Sequence, residues 1–550
     1  NLAPWQYSNP SQAQKPAAKA HICCLRRPPP AFVFNATEFP REEEYDYIVV
    51  GGGTAGCPLA ATLSQDHTVL LLERGASSLS FPDIMTPDAF LTTLMQTDRH
   101  DSPAQPFVSE DGVPNARGRV LGGSSAINAG FYSRADVGFF HAGGAVVWDM
   151  ALVNASYKWV ERAVAFQPDV RSWQSAVRDA LLEADLTPFN GFTVEHVAGT
   201  KIGATTFDPT GRRHTAADLL RYARVPNIKV ALHASVERVL FRRCPDGKQS
   251  AIGVVYRDRN GKSHRAKLRP NGEVILSAGA LGSPQLLLLS GVGARAYLAS
   301  WGIPVSHHLP AVGQYLYDNP RNAISFVSPV PIDHSLIQVV GIDAASGFFL
   351  EAASNLITFQ AEPRSFLLPP AAPVLLTVAT LMEKVAGPVS AGSLRLTSTD
   401  VRSNPAVRFN YFASAVDLGR CVEGMRKIGK VLRTRAMEGF KFPFGRRGRR
   451  EFRFVGAPLP ANESDDGAME DFCRRTVATI WHYHGGCMVG KVVDSEFRVL
   501  GIASLRVVDG STFSLSPGTN PQATVMMMGR YVGMKILEER RRACAQEQGL

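Results

Sequence analysis

The chain has 550 residues, 45% of them hydrophobic and 20% charged, with a formal charge of +10. That length is too great for one hydrophobic core and calls for two joined units, while the composition excludes a disordered or fibrous chain. Part of the positive excess sits at Arg446, Arg447, Arg449, Arg450 and Arg453, which reads as a solvated basic loop, and no basic module interleaved with aromatics points to nucleic acid.

Residues 1–40, with paired prolines and scattered Ala, Gln and Lys, read as a tail. The chain starts at Asn1 without Met, which suggests a signal peptide already removed. The sequons at Asn35, Asn154 and Asn462 suit a secreted glycoprotein. Residues 45–50 are an apolar run fit for a buried parallel strand. Gly51, Gly53 and Gly56 follow as G-x-G-x-x-G, residues 58–64 suit a helix and 68–72 a second strand. Glu73 then stands where a carboxylate meets a ribose. Strand, glycines, helix, strand and acid in one short unit predict a dinucleotide site, with phosphate at the helix N-terminus.

Residues 81–116 are polar and broken by prolines, and read as loops and short helices over the cofactor. In 118–132 the run Gly122, Gly123, Ser124, Ser125 leaves backbone N–H groups free for a ligand, and Asn128 can reach a polar ring edge. Helical spacing over 148–186 starts a second, inserted unit. Stretches 230–241 and 251–257 read as strands, as does 273–277, and Ser283 and Pro284 mark the cap and first residue of a helix. Residues 321–480 carry no nucleotide signature and read as the substrate unit. Residues 481–486, WHYHGG, place two imidazoles on one side of an extended segment. Residues 506–509 form a buried strand ending in an acid, and Asn520-Pro521-Gln522 opens an apolar helix over 523–537. The most apolar stretch, 369–382, contains three prolines and is too short to span a membrane. Eight cysteines make no disulfide scaffold, and no cysteine–histidine spacing suggests a metal.

Four separated motifs (51–56 with Glu73, 118–128, 279–293, and His482 through Asn520) resemble those of the glucose–methanol–choline (GMC) family of FAD oxidoreductases, and they run from about residue 45 to the end. WHYHGG, RVVDGSTF and the closing GRYVG are similar to the plant branch of HOTHEAD-like proteins and (R)-mandelonitrile lyases, with SPGTNPQ closest to HOTHEAD-like wording. The resemblance implies an α/β fold. A Rossmann-type FAD-binding domain would be built from 41–145, 205–320 and 490–550, with an inserted α+β substrate domain from 146–204 and 321–489. It implies FAD over Gly51, Gly53, Thr54, Ala55 and Gly56, the adenosine ribose on Glu73 beside Arg74, and Val236 against the adenine. Val120, Ser124, Asn128, Ala129, Gly130 and Phe131 would flank the middle and ring of the flavin, and Asp509 and Gly510 its ribityl chain. Trp481, His482, Asn520, Pro521 and Gln522 would lie at the ring, with the positive end of the last helix at the pyrimidine edge.

The same resemblance makes His482 and Asn520 the catalytic pair. An imidazole is the natural acceptor for the hydroxyl proton of an alcohol losing hydride to flavin N5, and a carboxamide can hold the oxygen without charge. His484 is open between structure and chemistry. The related lyases carry His at the second position, so Asn520 favours alcohol oxidation over cyanohydrin cleavage. A long-chain ω-hydroxy fatty acid is the substrate that HOTHEAD-like kinship suggests. The plant branch also implies a disulfide between Cys421 and Cys473; Cys57, inside the fingerprint, is expected as a buried free thiol, and the protein as a monomer acting on a small-molecule alcohol.

Overall fold

The computed structural model describes residues 30–95, 101–141, 146–245, 247–359, 374–443 and 450–547. Residues 1–29, with Cys23 and Cys24, and Arg446, Arg447 and Arg449 of the basic cluster lie outside them.

The fingerprint strand Glu42–Val50 is buried on both faces along its second half, and Val69–Glu73 is buried throughout. Such continuous apolar runs cannot face water on either side and pair in parallel. The parallel part of the first sheet runs Val33–Asn35, Ile228–Leu232, Val69–Glu73, Glu42–Val50, the end of Ser263–Leu276, and Leu505–Val507. Ser235–Arg243 and Gln249–Arg257 extend it as antiparallel strands. The expected tail is therefore shorter than residues 1–40: Val33–Asn35 is a strand, and Asn35 and Glu38 close a capping box behind it. The expected single strand 230–241 is two. After Leu232 the chain turns at His233, with φ +56, and the N–H groups of His233 and Ala234 donate to the carbonyls of Gly75 and Glu73.

The helix Gly56–Leu63 packs against the C-terminal helix Gln522–Glu547. Backbones touch there because Gly529 has no side chain: a Cβ would lie 2.3 Å from the Ala55 carbonyl oxygen. The C-terminal helix runs ten residues past the predicted 523–537, where polar residues pair along its surface, as Arg542 does with Glu538. The stretch 148–186 forms two helices, Met150–Val164 and Ser172–Glu183. Residues 81–116, expected as loops and short helices, include a strand, Ala104–Val108, paired with Pro114–Gly118.

Among the described residues the second sheet has eight strands. Its centre is Pro320–Val327, Val374–Val385, Phe348–Phe359 and Val339–Asp343, all antiparallel. Alternation along Val374–Val385 turns Ala379, Leu381 and Val385 into a core with the helices Ser172–Glu183, Ala415–Leu432 and Asp466–Thr476. Val378, Thr380 and Met382 face the other way, into a cavity. Cys421 and Cys473 bridge two of those helices, with Cα atoms 6.4 Å apart, and Cys57 is a buried free thiol. Among the described residues, no helix is long and apolar enough to cross a membrane, and no His, Cys, Asp and Glu cluster could hold a metal.

Candidate active site

Two cavities abut. The first, about 220 Å³, is the cleft at the carboxyl ends of the parallel strands, lined among others by Gly51, Gly53, Thr54, Ala55, Glu73, Arg74 and Val236. Open parallel sheets bind ligands at this end. Gly51 takes φ +106 to make the turn, and a Cβ on Gly56 would lie 1.9 Å from the Gly51 carbonyl oxygen, so the third glycine serves helix–strand contact. A Cβ on Gly123 would lie 2.7 Å from the Cα of Gly53: two glycine motifs face each other and leave bare backbone between them. Such a cradle fits the pyrophosphate of a dinucleotide.

Glu73 is buried at the cleft and accepts from the Gly52 and Gly75 N–H groups at 3.0 and 2.7 Å, so it braces the fingerprint turn as well as facing the ligand space. Burial raises its carboxyl, against those hydrogen bonds. Asp509 and Gly510 also line the cleft. One Asp509 oxygen accepts from the Gly279 N–H at 2.8 Å and the Ser283 hydroxyl at 2.5 Å. That carboxylate caps a helix from outside its own segment, and the helix accordingly begins at Gly279, with Ser283 and Pro284 inside it rather than at its start.

The second cavity, about 240 Å³, shares Ser124, Trp481, Tyr483 and Pro521 with the first. Its walls are apolar: Phe90, Leu94, Phe131, Ile337, Ile357 and Met382 are among them. Asn128, Ala129 and Gly130 line it too, and His482 and Asn520 enter it together. Pro521 lies in both linings and Gln522 in that of the cleft. Val120 lines neither cavity and packs with Ile84, Ala104, Ala126 and Ile127 in a small core.

His482 is aimed by its backbone. Trp481 sits at φ +59, a strained conformation for a bulky residue, and its N–H donates to the Thr479 hydroxyl at 2.7 Å. The His482 N–H donates to Asp318 at 2.9 Å, and the other oxygen of that buried carboxylate takes the hydroxyls of Thr479 and Tyr411. Burial pushes Asp318 up to about 6 against the pull of those bonds. His484, expected on the same side as His482, lines neither cavity. It pairs in the strand His484–Gly485, stacks on Tyr317, and its Nδ1 meets the His482 carbonyl at 3.0 Å. This pairing and the stacking on Tyr317 keep His484 out of both linings.

Burial holds the His482 imidazole well below its usual range, and the charges of Lys384, His484 and Arg321 add to the effect. The ring is therefore neutral and able to take a proton. Lys384 lies over the Phe349 ring at 4.0 Å, and burial pulls it down to about 8. Arg321 enters the second cavity with its guanidinium 5.5 Å from the Trp481 ring centre. Glu351, buried near both cations, has its carboxyl raised by burial. The sequence reading missed Arg321, Lys384, Glu351 and Asp318. The one signal open to sequence reading was Lys384 itself, since a lysine at the end of an apolar run asks for a reason.

Models of the family described as GMC oxidoreductase match residues 45–321 and 388–529. The chain is 63% identical to an Arabidopsis thaliana protein named (R)-mandelonitrile lyase-like, over 94% of each chain. It is 50% identical to (R)-mandelonitrile lyase 1 of Prunus serotina, over 92% of this chain and 90% of that one. To sinalpyl alcohol oxidase Nec3 of Nesocodon mauritianus it is 49% identical, over 92% and 91%, and to the Arabidopsis protein HOTHEAD 45%. Among solved structures, formate oxidase superposes with a TM-score of 0.75 at 20% identity, over 92% of this chain and all of that one.

Proposed function

The chain belongs to the GMC oxidoreductase family, whose cofactor is FAD, and from that premise we propose that it oxidises an alcohol held in the second cavity. Bound FAD would supply the hydride acceptor. The observation that carries the reading is a neutral, deeply buried imidazole paired with a carboxamide, His482 with Asn520, where an apolar chamber opens on the dinucleotide cleft. His482 takes the hydroxyl proton as the carbinol hydrogen leaves as hydride, Asn520 holds the oxygen, and the apolar walls keep water out. Gly51, Gly53, Thr54, Ala55, Glu73, Arg74, Val236, Asp509 and Gly510 would hold the dinucleotide, and Asn128 to Phe131, Trp481, Pro521 and Gln522 the ring.

The chamber's apolar walls, Phe90, Phe131 and Ile337 among them, suit an alcohol with an apolar body. Kinship agrees: identity to the alcohol oxidase exceeds identity to HOTHEAD. An aryl alcohol is therefore preferred to a long-chain ω-hydroxy fatty acid. The exposed sequons at Asn154 and Asn462 and the Cys421–Cys473 disulfide support a secreted, glycosylated chain. The division into FAD-binding and substrate domains draws support from the separate cores of the two sheets. The helix Met150–Val164, assigned to the substrate side, fits that division least because it packs on the C-terminal helix.

A second reading is cyanohydrin cleavage, favoured by identity to the lyases and by Arg321 and Lys384 near His482. There His482 would take the same proton and cyanide would depart toward the cations. One experiment separates the two. The FAD-loaded protein is mixed anaerobically with aromatic, aliphatic and ω-hydroxy fatty alcohols, and with mandelonitrile in a parallel arm. Bleaching of the flavin by an alcohol without cyanide release is expected. Cyanide release from mandelonitrile, with no alcohol bleaching the flavin, overturns the oxidase reading.

A further inference from the structure

Arg213 is 1% exposed, the most deeply buried arginine among the described residues, and the proposed reaction gives it no task. Arg506, almost as buried, is paired with Glu273 and Glu539. Arg213 has no carboxylate partner among the described residues, and burial pulls its guanidinium down to about 9. A buried, uncompensated charge is expensive, so what it touches is informative. Nε donates to the Ile84 carbonyl at 2.8 Å, the guanidinium lies 4.4 Å from the Phe207 ring centre, and Nη1 donates to Asn128 Oδ1 at 3.0 Å.

That last bond starts a chain. Guanidinium has donors only, and the Gly130 N–H meets the same Asn128 Oδ1 at 2.9 Å, so the Asn128 amide oxygen must point at Arg213. Asn128 Nδ2 then donates to Gln522 Oε1 at 2.9 Å, and Gln522 Nε2 donates to the Phe131 carbonyl at 2.6 Å. With an all-donor group at one end and a carbonyl at the other, neither amide can flip without setting like against like. The Asn128 oxygen takes two protein donors and the Gln522 oxygen takes one, from Asn128. Each nitrogen keeps one N–H to spare, on side chains that line the chamber and the cleft where these adjoin.

We propose that Arg213 is a positioning residue that fixes the polarity of Asn128 and Gln522, so that both present donors to the flavin ring and raise its reduction potential. Two-electron reduction loads negative charge onto the ring, and donors fixed in advance stabilise that charge with no reorganisation at the moment of transfer. Arg213 acts on the ring through Asn128 and touches nothing that reacts.

The test is the midpoint potential of bound FAD, measured by dye equilibration without substrate, so it stands or falls separately from the choice of alcohol or cyanohydrin. Arg213→Met and Asn128→Leu are each expected to disfavour reduction by about tenfold or more, which is ~30 mV for a two-electron couple. The double variant should shift no further than either single one, and Arg213→Lys should fall between Arg213→Met and the parent. If Arg213→Met fails to fold or to retain FAD, Asn128→Leu decides alone. A parent-like potential in Asn128→Leu with FAD bound overturns the proposal, as does a double variant that shifts by the sum of the single ones.

Discussion

The His482 imidazole sits in a cavity that makes protonation costly, with Lys384 and Arg321 adding to the penalty. The sign for pH dependence follows. A histidine whose folded pKa is depressed stays in its neutral, proton-accepting form on the acid side of the usual histidine range. The acid limb of kcat/KM for alcohol oxidation should accordingly lie below the ordinary histidine value, as a pH profile of anaerobic flavin reduction would show. His482→Ala should slow that reduction by about 10²–10⁴-fold with FAD retained; reduction at the parent rate would remove His482 from the mechanism. Asn520 can present its amide without titrating, so Asn520→His should keep part of the activity while adding a second, titrating limb to the profile. An unchanged single-limb profile in that variant would count against contact between residue 520 and the alcohol oxygen.

The fingerprint unit was legible element by element because its signal is local: an apolar run buried on both faces, three glycines with separate steric duties, and an acid at the end of the second strand. What was not legible came from elsewhere in the chain. The helix at Gly279 is capped by Asp509, 230 residues away, and His482 is held by Asp318, 164 residues away. Arg321, Glu351 and Lys384 meet because antiparallel strands bring them to one face, a register that spacing alone cannot reveal. The approach of the fingerprint and C-terminal helices gives a test at this scale. Gly529→Ala would set a Cβ 2.3 Å from the Ala55 carbonyl oxygen, and both backbones would have to part. A loss of about 1–3 kcal/mol is expected, with faster release of FAD, since Ala55 lines the cleft. Gly419→Ala, in the helix Ala415–Leu432 with nothing within 4 Å of the new Cβ, should instead stabilise by up to ~1 kcal/mol. Thermal melts of the two variants, and absorbance of the released flavin, would check the opposite signs.

On the scale of the whole molecule, the site lies where two sheets of different construction meet: a parallel one that ends in bare glycine backbone and an antiparallel one that turns charged side chains inward. The antiparallel sheet supplies Lys384, and the segment that closes the cleft supplies His482. The two are coupled through space, since the lysine charge helps hold the imidazole neutral. Lys384→Met removes that charge at similar side-chain length. Because Lys384 is absent from the lining of the dinucleotide cleft, FAD should stay bound, as the flavin spectrum would show. With one repelling cation gone, the His482 pKa should rise, although burial, its larger cause, keeps it below the usual value. The acid limb of kcat/KM should then move toward neutral pH, while the rate well above the limb, where the imidazole is already neutral, changes less. A limb that stays where the parent has it, in a variant that holds its flavin, would mean that the antiparallel sheet shapes the chamber without setting the charge state of its base.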